Sequence, residues 1–136
     1  MIAYHCDSNA IIAAPFKSRA KKQRLLDYGA IIQQLKDRSI LVDLQILDNK
    51  ARNEYKRIIK YECGAEYQSV PPNIHRRNTA ECTIRTFKTH FLSTLSGIAP
   101  NPPNNLWDLL LPQTELSLNI LRKSNLNPNI SAWEYF

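Results

Sequence analysis

Apolar and polar positions change period several times along the chain, and each change marks an element. Ile2-Ala3-Tyr4 and Ala10-Ile11-Ile12-Ala13-Ala14 flank Asp7-Ser8-Asn9, a tight-turn tripeptide, so residues 1 to 16 predict two short strands. Pro15 ends the second strand or sits on its edge. From about Ser18 to Arg38, Leu25, Tyr28, Ile32 and Leu35 recur at spacings of three and four, which predicts a helix. Ile40 to Leu47 alternates, Val42, Leu44 and Ile46 against Asp43 and Gln45, as a half-buried strand does. A helix is expected from about Lys50 to Glu62, burying Ala51, Tyr55, Ile58 and Ile59, with Gly64 as its C′ residue. Ala65 to Val70 is a short strand stopped by Pro71-Pro72. The clearest amphipathic helix runs from about Asn78 to Gly97 on a stripe of Ile84, Phe87, Phe91, Leu95 and Ile98. A last helix, Leu106 to about Lys123, follows a Pro- and Asn-rich break, and Pro112 should kink or divide it because proline lacks a backbone donor.

Strand, strand, helix, strand, helix, strand, helix, helix is the alternation of an α/β layer, with helices packed on a sheet. At 136 residues the chain is long enough for one domain and a real core. Apolar residues at 43% and charged residues at 22% are ordinary globular usage, which argues against wholesale disorder. The longest apolar stretch, Ala10 to Phe16, is far short of a membrane span, and no apolar block behind a charged opening suggests secretion. Cys6, Cys63 and Cys82 are odd in number and widely spaced, which disfavours a disulfide scaffold or a zinc knuckle and fits an intracellular, nuclear or cytoplasmic setting.

Charge sharpens the picture. The chain carries +6, but residues 17 to 100 hold 16 basic against 8 acidic side chains, while each flank is net acidic. A positive field confined to the middle favours a polyanionic partner. Lys17, Arg19, Lys21, Lys22 and Arg24 crowd the first turns of the first helix, where cations oppose the helix dipole. They form either a solubilising face or a phosphate-contacting one. Lys56, Arg57 and Lys60 fit a solvated helix face.

Two acids stand out by position. Asp48 closes the most apolar strand at its carboxyl end, where ligands of α/β sheets collect. Glu81 lies in the first turn of the amphipathic helix, with Arg85 and Lys88 at i+4 and i+7 on the same face. An acid beside two cations suits a metal and a phosphate bound together. The same spacing also describes an ordinary surface ion pair worth ~0.3–0.5 kcal/mol. His5, His75 and His90 have no partner at metal-ligand spacing, and Trp107 and Trp133 are expected as packing anchors.

The stretch from Val70 to Glu81, Val-Pro-Pro-Asn-Ile-His-Arg-Arg-Asn-Thr-Ala-Glu, with Leu47-Asp48-Asn49 upstream, resembles the catalytic core of retroelement integrases of the copia-type retrotransposon branch. In that family an Asp-Asn at a strand end supplies the second acid of an Asp-Asp-Glu set, and an early helical Glu behind a proline-containing loop supplies the third. Asp48 and Glu81 match those positions, with 32 residues between them. Arg85-Thr86 fits the family's later Arg-Thr, and Cys82 replaces its first Arg. Trp107 and Leu118-Asn119-Ile120-Leu121-Arg122 are similar to the family's Trp and Leu-Ile-Asn-Arg helix, and Ser131-Ala132-Trp133-Glu134 to its closing segment.

The resemblance implies a ribonuclease H-like core lacking its first strand: a mixed sheet of three to four strands with helices packed on it. Residues 1–136 are then one partial domain, with sheet and acid-bearing helix in 1–99, a C-terminal helix in 104–123 and a tail in 124–136. It further implies Mg²⁺ or Mn²⁺ held by Asp48 and Glu81, DNA contacts from Arg76, Arg77, Arg85 and Lys88, element ends and target DNA as partners, and a possible integrase homo-oligomer. The sequence departs from the family at Lys50, a cation beside Asp48, and at Arg77 and Asn78, where Asn and Gly are usual. The family's first Asp has no match, since Asp7 falls in the hairpin turn and suits a turn-former. Its preceding zinc module is also unmatched.

Strand transfer is an in-line attack on a phosphodiester, and two metal ions about 4 Å apart stabilise the attacking and leaving oxygens. Hard cations take oxygen ligands, and a two-metal site needs a bridging carboxylate. With Asp48 and Glu81 alone, weak metal binding and no turnover are expected. The alternatives are a non-catalytic nucleic-acid-binding or scaffold protein built on the integrase fold, and a basic α/β interaction domain with no nucleic-acid role.

Overall fold

The computed structural model describes residues 1–15, 21–47, 53–61, 64–70, 79–98 and 107–136. Among these residues it is a mixed α/β structure of nine elements: β1 (Ile2–His5), β2 (Ala10–Ala13), α1 (Lys21–Asp37), β3 (Leu44–Leu47), α2 (Asn53–Tyr61), β4 (Glu66–Ser69), α3 (Thr79–Ser96), α4 (Leu110–Leu121) and α5 (Ala132–Tyr135). The order is the one the hydrophobic periods predict, with the short α5 added. Two compact units divide the chain, Met1–Lys17 with Ala80–Phe136, and Ser18–Thr79. Among the described residues no helix is long and apolar enough to cross a membrane.

Where one mixed sheet of three to four strands is expected, each unit holds a two-stranded pair among the described residues. β1 and β2 form an antiparallel hairpin with Ile2 opposite Ala13 and His5 opposite Ala10. β3 and β4 form a parallel pair with Leu44 opposite Glu66 and Leu47 opposite Ser69. The hairpin turn is built from its own side chains. Asn9 takes a left-handed φ of 61°, which asparagine tolerates better than most residues. The fully buried Ser8 hydroxyl accepts from the Ala10 amide at 3.1 Å, and the Ser8 amide donates to His5 Nδ1 at 3.3 Å.

In the first unit the core is Ile11, Phe87, Leu111 and Leu118, with Ile2, Tyr4, Ala13 and Phe91 packed at its rim. Burying each of the larger side chains contributes about 1.5–3 kcal/mol. The inward face of α3 is therefore Thr83 and Phe87, with Phe91 beside them. Ile84, expected in the stripe, is half exposed: it lies one residue past Thr83, about 100° around the helix. α4 begins at Leu110, four residues later than expected, which leaves Pro112 in its first turn. Amide donors there have no intrahelical acceptor, so proline breaks nothing and the kink is not required. Trp107 is 45% exposed and does not anchor a core, whereas Trp133 is half-buried. A capping box closes the N-terminus of α5, Ser131 Oγ accepting from the Glu134 amide and Glu134 Oε2 from the Ser131 amide.

In the second unit α1 buries Tyr28, Ile31, Ile32 and Leu35, Ile31 joining the expected stripe. Its end is a Schellman motif: the Ile40 amide donates to Leu35 O, the Ser39 amide to Lys36 O, and Ser39 adopts φ 59°. Gly64 has a φ of 67°, the left-handed conformation expected of it, and the next amide, Ala65, donates to Ile59 O. β3 departs from expectation. Leu44 and Ile46 are 53% and 58% exposed, while Gln45 and Leu47 face inward. The Tyr28 hydroxyl donates to Gln45 Oε1, which ties the polar face of β3 to α1.

Candidate nucleic-acid interface

Thr83 and Phe87 set the rotation of α3, and that rotation turns Glu81, Arg85 and Lys88 to solvent. The three lie at i, i+4 and i+7, so they form one exposed row about 10 Å long. Glu81 stands in the first turn, where the helix dipole favours a carboxylate. Arg85 Nη2 lies 3.9 Å from Cys82 Sγ, so the two face solvent together. This arrangement presents an acid and two cations to anything that approaches α3 from outside.

Asp48, Arg76 and Arg77 fall outside the described residues, as do Lys50, Asn78, His75 and Cys63. Glu81, Arg85 and Lys88 are therefore the candidate metal- and DNA-contacting residues whose surroundings are described. Among the described residues no group of three or more His, Cys, Asp or Glu comes together to hold a metal. One described carboxylate does not make a ligand set for Mg²⁺ or Mn²⁺, which needs several oxygens.

The described histidines are engaged in packing contacts. His5 Nδ1 faces Ser8 Oγ at 2.8 Å and its ring meets Phe136 at 6.2 Å between centroids. Burial lowers the His5 pKa below its ordinary value, and Asp7 partly offsets this. Because the Ser8 amide donates to Nδ1, that nitrogen is an acceptor and the ring carries its proton on Nε2. His90 Nε2 meets Ser117 Oγ at 3.0 Å, linking α3 to α4.

The most organised polar cluster is one the sequence did not single out as functional. Asn119 is fully buried in the apolar face of α4. Its Oδ1 accepts from the Ile11 amide at 2.9 Å and its Nδ2 donates to Ile11 O at 2.8 Å, so the carboxamide acts as a neighbouring strand would. Glu115 Oε2 accepts from the Ala13 amide at 2.8 Å. Arg122 Nε donates to Asn9 O at 2.8 Å, and its Nη2 donates to Asn9 Oδ1. Positions 115, 119 and 122 thus serve 13, 11 and 9 in turn. The match is metric: four helical residues advance about 6 Å, and two strand residues about 6.7 Å. Behind it, the tail closes the turn. The Asn125 and Leu126 amides and Ser124 Oγ all donate to Asp7 O, and Asn125 Nδ2 donates to Cys6 O at 2.6 Å.

Two signals in the sequence mark this cluster: Glu115 and Asn119 stand at i and i+4 on the helical face that also carries Leu111 and Leu118, and Asn119 and Arg122 belong to the stretch that resembles the family's helix. Such residues are satisfied by something, but the something lies 108 and 102 residues away in the chain. No protein-family model matches the chain, and no curated protein does.

Proposed function

We propose that this chain is a retroelement integrase core segment that binds DNA, with Glu81, Arg85 and Lys88 of α3 on the contact face; Asp48, Arg76 and Arg77 are further contacts that the family resemblance implies. The reading rests on the ordered likeness that runs from Asp48-Asn49 through the proline loop to Glu81 and on to Asn119 and Arg122. The single structural observation that carries it is the exposed row Glu81, Arg85, Lys88, turned outward by the burial of Thr83 and Phe87. A carboxylate and two cations in a line suit a phosphodiester approached together with a divalent ion. By family, Asp48 and Glu81 would hold Mg²⁺ or Mn²⁺, which would supply Lewis-acid polarisation at the phosphodiester. With two of three acids matched in these 136 residues, this chain alone binds DNA without cutting it.

The test is a binding titration on a duplex DNA end at several salt concentrations, with and without Mg²⁺. Each phosphate contact adds about −0.9 to the slope of log affinity against log salt. Arg85→Ala and Lys88→Ala should each make the slope shallower by about that amount. A flat salt response, or double variants that bind as the parent does, would remove DNA from the proposal. Mg²⁺-dependent nicking by the purified chain, abolished by Asp48→Asn, would overturn the claim that it does not cut.

A further inference from the structure

Net charge is divided unequally between the two units. Ser18–Thr79 holds 13 basic and 7 acidic residues, a net +6, while Met1–Lys17 with Ala80–Phe136 holds 5 of each. The whole positive excess of the chain therefore belongs to the second unit, whereas Glu81, Arg85 and Lys88 lie in the first. A field concentrated in this way attracts polyanions.

Within the second unit, α2 gives the charge a face. Ile59 is fully buried and fixes which side of the helix points inward. Counting about 100° per residue from it, Lys56, Lys60, Arg57 and Tyr61 follow one another around about 140° of the helix. Arg57 and Lys60 are exposed, and Tyr61 is 76% exposed. Lys56 is half-buried, with its ammonium 5.6 Å from the centre of the Tyr67 ring on β4, a cation–π contact that holds the charge at this face. Among the described residues none of these three cations pairs with a carboxylate. Glu54, the acid of α2, falls past the Tyr61 end of the arc by helical position.

This combination selects among polyanions. Cations in a row take phosphates, whatever carries them. An exposed tyrosine beside them adds a flat face, and a base stacks on it only where it is unpaired and free of its neighbours. A duplex keeps its base faces covered, and an acidic polypeptide offers none. The row on α3 has charge without such a ring.

We propose that α2, backed by Tyr67 of β4, is a second nucleic-acid surface and that it binds single-stranded DNA. Lys56, Arg57 and Lys60 contact the phosphates, and Tyr61 stacks on a base. That the strand is DNA rests on the function proposed above; the preference for an unpaired strand does not.

The 136-residue chain carrying Arg85→Ala and Lys88→Ala, which silence the row on α3, is titrated with a fluorescent oligothymidylate, a DNA duplex of the same length and an oligouridylate. Oligothymidylate should bind with a slope of log affinity against log salt of about −2, from about −0.7 for each of three phosphates. Tyr61→Ala should weaken binding about 5- to 150-fold, as the loss of one stacked base does, while Tyr61→Phe keeps the ring and binds as before. Arg57→Ala with Lys60→Ala should make the slope shallower by about 1.4. These side chains are exposed, so the variants fold, and unchanged circular dichroism checks it. The duplex should bind more weakly and be indifferent to Tyr61→Ala. Binding unaffected by Tyr61→Ala overturns the proposal, as does a loss with Tyr61→Phe as large as with alanine, or a duplex bound as tightly as the single strand. Tighter binding of oligouridylate would assign the surface to RNA instead. Displacement by polyglutamate as effective as by oligothymidylate of equal charge would assign it to an acidic polypeptide. The salt slope on a duplex end, read with Arg85 and Lys88 intact, tests α3 separately, so either face can fail while the other stands.

Discussion

The two ladders of this protein have the same number of strands and opposite fates. The β1–β2 hairpin is closed by a tight turn, buries Ala10, Ile11 and Ile12, and has one edge occupied by side chains from α4. The β3–β4 pair is parallel, joined through α2, and leaves Leu44 and Ile46 more than half exposed. Two strands alone are marginal in water, so each ladder depends on what lies against it. For the hairpin, a helix more than a hundred residues away supplies both an apolar face and surrogate backbone bonds. For β3, Gln45 and Leu47 face inward, and Gln45 accepts from the Tyr28 hydroxyl. Alternation alone does not make a strand's apolar side the buried one; the position of a covering element does.

The largest expected effect tests the apolar half of that contrast. Phe87→Ala should cost about 3–5 kcal/mol, because a buried aromatic leaves a cavity in the Ile11–Leu111–Leu118 cluster. Ile46→Ser on β3 should change stability by about 0.5 kcal/mol or less, as exposed positions do. Urea unfolding of both variants measures the difference, and similar losses would erase the distinction between the ladders.

Asn119→Leu sharpens the polar half. It keeps the branching of the side chain and leaves the Ile11 amide and carbonyl without partners in a buried place, for about 2–4 kcal/mol. The Ile11 amide should also lose its protection from hydrogen exchange. Retained protection would mean that the carboxamide is not the surrogate strand.

The smallest effect is a pH dependence confined to the hairpin. Burial holds His5 below its ordinary pKa, so the unfolded chain binds the proton more tightly than the folded one. The stability this contributes is complete above the unfolded value of 6.5 and is lost as pH falls through the folded pKa. Protonation also ends the acceptance of the Ser8 amide by Nδ1. Unfolding measured between about pH 7 and pH 5 should show declining stability, and His5→Phe should flatten it. A parent profile as flat as the variant's would show that the turn does not sense pH.

Much of the architecture is legible in the residues. The order of the first eight elements, the hairpin at Asp7-Ser8-Asn9, the inward set of Phe87 and Phe91, and the left-handed Gly64 follow from period and turn chemistry. Pro112 shows where such inference misleads. A proline lacks a donor wherever it stands, but the consequence depends on whether the helix has already begun, and α4 begins just before it. Of the candidate contact face, the row Glu81, Arg85, Lys88 was legible because three positions on one helix share a face by geometry alone. Asn119 was visible as part of the Leu118–Arg122 resemblance. Its purpose was not, because hydrogen-bond partners are chosen in space and carry no mark in the local sequence.

Local chemistry in the chain was enough to decide which segments coil and which extend, where the positive charge concentrates, and which side chains share a helical face. These depend on backbone sterics and on spacings of a few residues, which any short window contains. Folding decided which side of β3 meets solvent, which strands pair, and that Glu115, Asn119 and Arg122 take the outer edge of the hairpin. Those outcomes follow from desolvation and hydrogen bonding between residues far apart in the chain, whose energies exist only once the chain has brought them together.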